Sequence, residues 1–77
     1  MSKVTINAVS ERAAKATLWR LATDHANNLV LVGENEAFSG VLHVYVKGTK
    51  VSISSSYYFK DTLAEIADKA KGRGKVS

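Results

Sequence analysis

Apolar and polar residues recur along the chain with two different periods, and these periods predict its secondary structure. A period of two, as in residues 4–8, is typical of a strand with one buried face, whereas apolar residues at i, i+3, i+4 and i+7 predict a helix. Residues 29–32 are aliphatic throughout and too few for a helix, so we interpret them as a strand. The predicted strands are residues 4–8, 29–32, 41–46 and 51–54, and the predicted helices are residues 11–26 and 61–71.

This order, β-α-β-β-β-α, predicts a single small α+β domain with two helices packed on one face of a mostly antiparallel sheet. Ser10 is a suitable N-cap for the first helix. Thr62 and Glu65 match a capping box at the start of the second helix, which we expect Gly72 to end. We interpret residues 34–40 as a polar, flexible connection. The predicted domain covers residues 1–71, and residues 72–77 are predicted to form a flexible basic tail.

The last two strands form a hairpin whose register follows from its loop. A two-residue loop with glycine first, here Gly48 and Thr49, is typical of a type II′ turn. Lys47 then pairs with Lys50, and alternation separates the remaining side chains into two faces. We expect Val44, Val46, Val51 and Ile53 to face the helices, and His43, Tyr45, Lys47, Lys50, Ser52 and Ser54 to face away from them.

The net charge of +4 comes from one end of the 77-residue chain. Residues 1–68 contain seven basic and seven acidic side chains, so this part of the chain is formally neutral. The excess lies on Lys69, Lys71, Arg73 and Lys75. A terminal basic segment of this kind is common in nucleic-acid-binding proteins, and it is also common as a solubilising tail.

The outward face of the hairpin combines lysines, an aromatic side chain and hydroxyl groups. This combination suits a phosphate backbone and a stacked base, and it is equally typical of an ordinary solvated sheet. Tyr57, Tyr58 and Phe59 follow the last strand. If that strand continues, Tyr58 joins the face of His43 and Tyr45. The predicted binding residues are therefore His43, Tyr45, Lys47, Lys50 and Tyr58, together with Lys69, Lys71, Arg73 and Lys75.

The candidate catalytic and metal-binding residues are few. His43 opposite Ser54 resembles a base beside a nucleophile, but the hairpin contains no carboxylate to orient the histidine. His25 lies in the apolar stripe of the first helix, where we expect it to pack. The chain has no cysteine, and two isolated histidines make a poor metal site. We therefore expect no enzymatic activity, no metal and no cofactor.

Residues 29–32 are apolar on both sides of the predicted strand. Two helices cover only one face of the sheet, so the second face needs another covering surface. A chain of this size also gains stability from burying such a surface. We predict a homodimer or a partner protein that covers the second face near Val30 or Leu31.

Together these features favour a small non-enzymatic regulatory protein. The first hypothesis is action on or beside nucleic acid, either DNA or RNA, through the open sheet face and the basic tail. The alternative is an inhibitor or adaptor, of the kind that bacteriophages and mobile elements encode, which binds a host protein. The absence of cysteine is consistent with a cytoplasmic location, and we expect no interaction with a membrane.

Overall fold

The computed structural model describes residues 2–25 and 27–76, with side chains as far as Ala70. It confirms the α+β class and the predicted order of elements, and it adds one short strand within residues 34–40. The elements are β1 (Ser2–Asn7), α1 (Glu11–Asp24), β2 (Val30–Gly33), β3 (Glu36–Phe38), β4 (His43–Lys47), β5 (Lys50–Ser55) and α2 (Lys60–Val76).

The five strands form one sheet in the order β1-β5-β4-β3-β2, and every neighbouring pair is antiparallel. Strands β2 to β5 follow one another as a meander. The first strand of the chain pairs with the last, with Val4 opposite Ile53. The edges of the sheet are therefore β1 and β2.

Both helices pack on the same face of the sheet, where they bury its apolar residues. Leu18 and Leu21 of α1 and Leu63 of α2 are fully buried against Val44 and Ile53 of the central hairpin. Within residues 2–25 and 27–76, the opposite face carries no helix. Within the described part of the chain, neither helix is long and apolar enough to cross a membrane.

Helix α1 begins as the sequence predicts. The Ser10 hydroxyl accepts a hydrogen bond from the backbone N–H of Ala13 at 3.1 Å, which satisfies one of the free donors of the first turn. The helix ends at Asp24, and the N–H of His25 donates to the carbonyl of Leu21. The prediction extended this helix to Ala26, which lies outside the described residues.

The connection from β5 to α2 differs from the prediction. The Ser55 hydroxyl accepts hydrogen bonds from the N–H groups of Tyr57 and Tyr58, at 2.9 and 3.0 Å, and this turn ends the strand. Tyr58 therefore packs against the core, so its predicted place on the face of His43 is wrong.

Helix α2 then begins at Lys60, because the first helical bond joins the N–H of Leu63 to the carbonyl of Phe59. The predicted capping box at Thr62 is wrong, since Thr62 already lies inside the helix.

Helix α2 also continues beyond its predicted end. Its backbone remains helical through Gly72 as far as Val76, so the prediction that Gly72 ends the helix is wrong. The helix contains both Gly72 and Gly74. Each glycine in a helix interior weakens the helix by about 1 kcal/mol relative to alanine, which does not by itself terminate it. The flexibility of residues 72–77 stays a prediction, and Ser77 lies outside the described residues.

Candidate functional site

The sheet face opposite the helices is the candidate site, and we call it the open face. The register of β4 and β5 is the predicted one, with Lys47 opposite Lys50, Tyr45 opposite Ser52 and His43 opposite Ser54. Gly48 has a φ of +64° while Thr49 has a negative φ, as a type II′ turn requires. The predicted division of the hairpin into a buried and an outward face is confirmed.

Strand β3 adds two side chains to the open face that the sequence analysis missed. Glu36 lies opposite Tyr45, and Phe38 lies opposite His43. Between them, Ala37 is fully buried beneath the sheet. The signal in the sequence was the alternation of Glu36, Ala37 and Phe38, but three residues are too few to separate a strand from a polar loop.

Phe38, His43 and Tyr45 form the aromatic cluster of the open face. The rings of Phe38 and His43 meet edge to face, with centroids 5.3 Å apart, and those of His43 and Tyr45 stack at 6.1 Å. Phe38 remains 53% exposed and Tyr45 39% exposed. The cluster therefore presents two accessible ring surfaces on either side of the imidazole.

Glu36 and His43 are joined across β3 and β4. The Nε2 atom of His43 lies 2.6 Å from Oε2 of Glu36, and both side chains are partly exposed. Ser54 donates its hydroxyl to the carbonyl of His43, at 3.4 Å, instead of to the imidazole. The carboxylate missing from the hairpin thus comes from β3, but His43 and Ser54 do not form the hydrogen bond between base and nucleophile that catalysis would need.

The charges on the open face are mostly positive. Lys47 and Lys50 lie opposite each other near the hairpin turn, and Lys3 projects from β1 beside Ser54. Among the described side chains, the one carboxylate on this face is Glu36. The other acidic residues belong to the helices or to the β2–β3 turn: Glu11, Asp24, Glu34, Asp61, Glu65 and Asp68.

The β2 end of the open face is apolar. Val30, which lies opposite Phe38, and Val32 are 61% and 59% exposed. Leu31 points to the helical side and packs against the core, so the two predicted interface residues lie on opposite sides of the sheet.

On the helical side of β2 lies a shallow groove of about 430 Å³, lined by Trp19, Ala22, Thr23, Leu29, Val30 and Leu31.

The predicted basic residues do not all come together. Lys69 is exposed on α2, beside Asp24, His25, Glu65 and Asp68, and α2 packs on the face of the sheet opposite the aromatic cluster. The side chains of Lys71, Arg73 and Lys75 lie outside the described residues. Among the described side chains, no group of three His, Asp or Glu residues is arranged to hold a metal ion.

Comparisons of the chain with protein-family models, with curated proteins and with solved structures found no significant match.

Proposed function

We propose that this protein is a non-enzymatic regulatory module that binds single-stranded nucleic acid on its open face. The observation that carries this proposal is the aromatic cluster, exposed at the centre of an uncovered sheet whose other charged side chains are mainly lysines. An exposed aromatic ring on a sheet offers a flat surface for a base that is not already stacked within a duplex.

The lysines provide the second part of the binding surface. Lys47 lies two residues beyond Tyr45 on β4, which is about 7 Å along a strand. A phosphate that flanks a base stacked on Tyr45 can therefore reach Lys47 or its neighbour Lys50. Contacts of this type add affinity without reading the sequence, because phosphates are the same at every nucleotide.

The basic residues of α2 have a supporting role in this proposal. Lys69, Lys71, Arg73 and Lys75 carry the net charge of the chain but lie on the element behind the sheet. They attract a polyanion at long range, which raises the association rate, and they neutralise phosphates outside the aromatic cluster, which itself holds the bases. We place this activity in the cytoplasm, which is consistent with a chain that contains no cysteine.

The test is the binding of short, fluorescently labelled single-stranded DNA and RNA, measured by anisotropy. Phe38→Ala and Tyr45→Ala should each weaken binding roughly 5- to 150-fold, the effect of losing one stacked base. Trp19→Ala is the matched control, because Trp19 is also an exposed aromatic residue but lies on α1. Absence of binding to either nucleic acid at low salt would overturn the proposal.

A protein-binding inhibitor or adaptor is the second candidate function. It is favoured by the exposed Val30 and Val32, because aliphatic side chains offer no aromatic ring for base stacking and bury well against an apolar protein surface. In a pulldown from host lysate, Val30→Ser should then abolish capture of one protein that the wild-type chain retains after nuclease treatment. Lys47→Ala should leave that capture unchanged. The opposite pattern, with capture lost on nuclease treatment, would support the nucleic-acid function.

A further inference from the structure

Glu36 occupies an unexpected place for a carboxylate. It is the first residue of β3, directly opposite Tyr45 of the central strand and two residues from Phe38, on a face where the other charged side chains that the structure describes are lysines. A negative charge at this position repels the phosphates that the lysines attract. Its presence is explained if the ligand brings a hydrogen-bond donor, instead of a phosphate, to the aromatic cluster.

The chemistry of the carboxylate indicates which donor it would take. An ionised carboxylate only accepts hydrogen bonds, and its two oxygens can accept from two adjacent N–H groups. The Watson–Crick edge of guanine presents two such groups, N1–H and the N2 amino group. Adenine and cytosine place a ring acceptor beside their amino group, and uracil and thymine flank their single N–H with two carbonyls. Guanine is therefore the base that fits a carboxylate without an opposed acceptor.

We infer that the open face recognises guanine in single-stranded nucleic acid, and this inference rests on the proposed function. The guanine ring stacks on the aromatic cluster, and the carboxylate of Glu36 accepts hydrogen bonds from N1–H and the N2 amino group. The neighbouring nucleotides contribute phosphate contacts to Lys47 and Lys50. Unpaired bases expose this edge, whereas pairing in a duplex hides it.

His43 acts in this arrangement as a positioning residue. Its Nε2 atom holds Oε2 of Glu36 at 2.6 Å, and its ring is fixed between Phe38 and Tyr45. These contacts restrict the rotamers of an otherwise exposed glutamate, so that the carboxylate stays beside the rings before a base arrives. An oxygen held in this way still has lone-pair capacity for a second donor.

The experiment compares thymidine pentamers that contain one central guanine, inosine or thymine. Inosine keeps N1–H but lacks the N2 amino group. We expect the guanine pentamer to bind about 10-fold more tightly than the other two, within the range for a bidentate contact to a base. Glu36→Gln should reduce this preference to less than about 2-fold, since the amide replaces one acceptor with a donor.

Two further sets of variants separate recognition from structure. Glu34→Gln removes a carboxylate from the adjacent turn, where Glu34 pairs with Lys15 at 3.6 Å, and it should leave the guanine preference unchanged. His43→Ala should lower the ratio of guanine to inosine affinity while the domain remains folded, with a cooperative melting transition. His43→Gln, which retains an N–H donor toward Glu36, should restore part of that ratio.

The outcomes distinguish this inference from the function on which it rests. Equal binding of the three pentamers, or a guanine preference that survives Glu36→Gln, would overturn guanine recognition and leave nucleic-acid binding intact. Failure of every pentamer to bind the wild-type protein would overturn both.

Discussion

Individual side chains of the central hairpin have sharply different roles according to the face they occupy. Tyr45 and Ile53 belong to adjacent strands, yet Tyr45 is accessible on the open face while Ile53 is fully buried beneath the helices. A change at Tyr45 therefore acts on binding, and a change at Ile53 acts on folding.

This difference gives a prediction for the two residues. Tyr45→Ala should weaken nucleic-acid binding with little effect on the free energy of unfolding. Ile53→Ala should lower that free energy by about 2–5 kcal/mol, because it leaves a cavity in the core. Denaturant unfolding and anisotropy on both variants test the assignment. Equal destabilisation by the two substitutions would mean that the open face is itself a buried interface.

Ser55 is a second residue whose role depends on position. It is buried, and its hydroxyl accepts two backbone hydrogen bonds that end β5. Ser55→Ala should cost about 1–3 kcal/mol of folding free energy, because two backbone donors lose their acceptor. Ser56→Ala is the control, since Ser56 is exposed. Similar unfolding midpoints for the two variants would contradict this role for the hydroxyl.

At the scale of elements, α2 contributes both to the hydrophobic core and to the net positive charge of the chain. Its first half buries Leu63 and Ala67, and Ala70 is also largely buried. Removing the helix after Ala67 would therefore remove core contacts along with the charge. Substitution of the basic residues separates the two effects.

We therefore expect replacement of Lys71, Arg73 and Lys75 with glutamine to reduce the salt dependence of nucleic-acid binding without removing core contacts. Log affinity falls with log salt at about 0.7 per phosphate neutralised on a single strand, so the slope should flatten by about 2 units if all three contribute. Nucleic-acid binding titrations at several salt concentrations measure this slope. Arg12→Gln on α1 is the control for loss of charge elsewhere. An unchanged slope would exclude the basic end of α2 from binding.

For the whole molecule, the two edge strands of the sheet differ in how they are protected against pairing with a strand of another molecule. Edge strand β1 carries exposed Lys3, a charge that discourages pairing with another strand. Edge strand β2 has no charged residue, and a bulge between Leu31 and Gly33 is its main irregularity. The bulge shortens the row of backbone hydrogen-bonding groups that another strand could pair with. The side chain of Val30 remains exposed beside Phe38.

We therefore expect two copies of the chain to associate weakly through β2, in an antiparallel arrangement that brings apolar residues together. Sedimentation at increasing protein concentration should detect a dimer. Val30→Lys should abolish it, and Thr5→Lys on the other edge should not. A monomer at all concentrations would rule out self-association and leave Val30 available for a different partner.

Local features of the sequence determined the α+β class, both helices and the register of the β4–β5 hairpin. They could do so because helical stripes, strand alternation and the Gly48 turn are properties of neighbouring residues. The same features identified part of the candidate site, namely His43, Tyr45, Lys47 and Lys50.

Tertiary structure alone decided which distant strands pair and therefore which side chains meet. Strand β3 is too short to be recognised by its period, and it is held by β2 and β4, so Glu36 and Phe38 reach the open face only through that pairing. The pairing of β1 with β5, which brings Lys3 to this face, likewise depends on residues some fifty positions apart. The Ser55 turn ends β5 and places Tyr58, partly buried, against the core instead of on the open face.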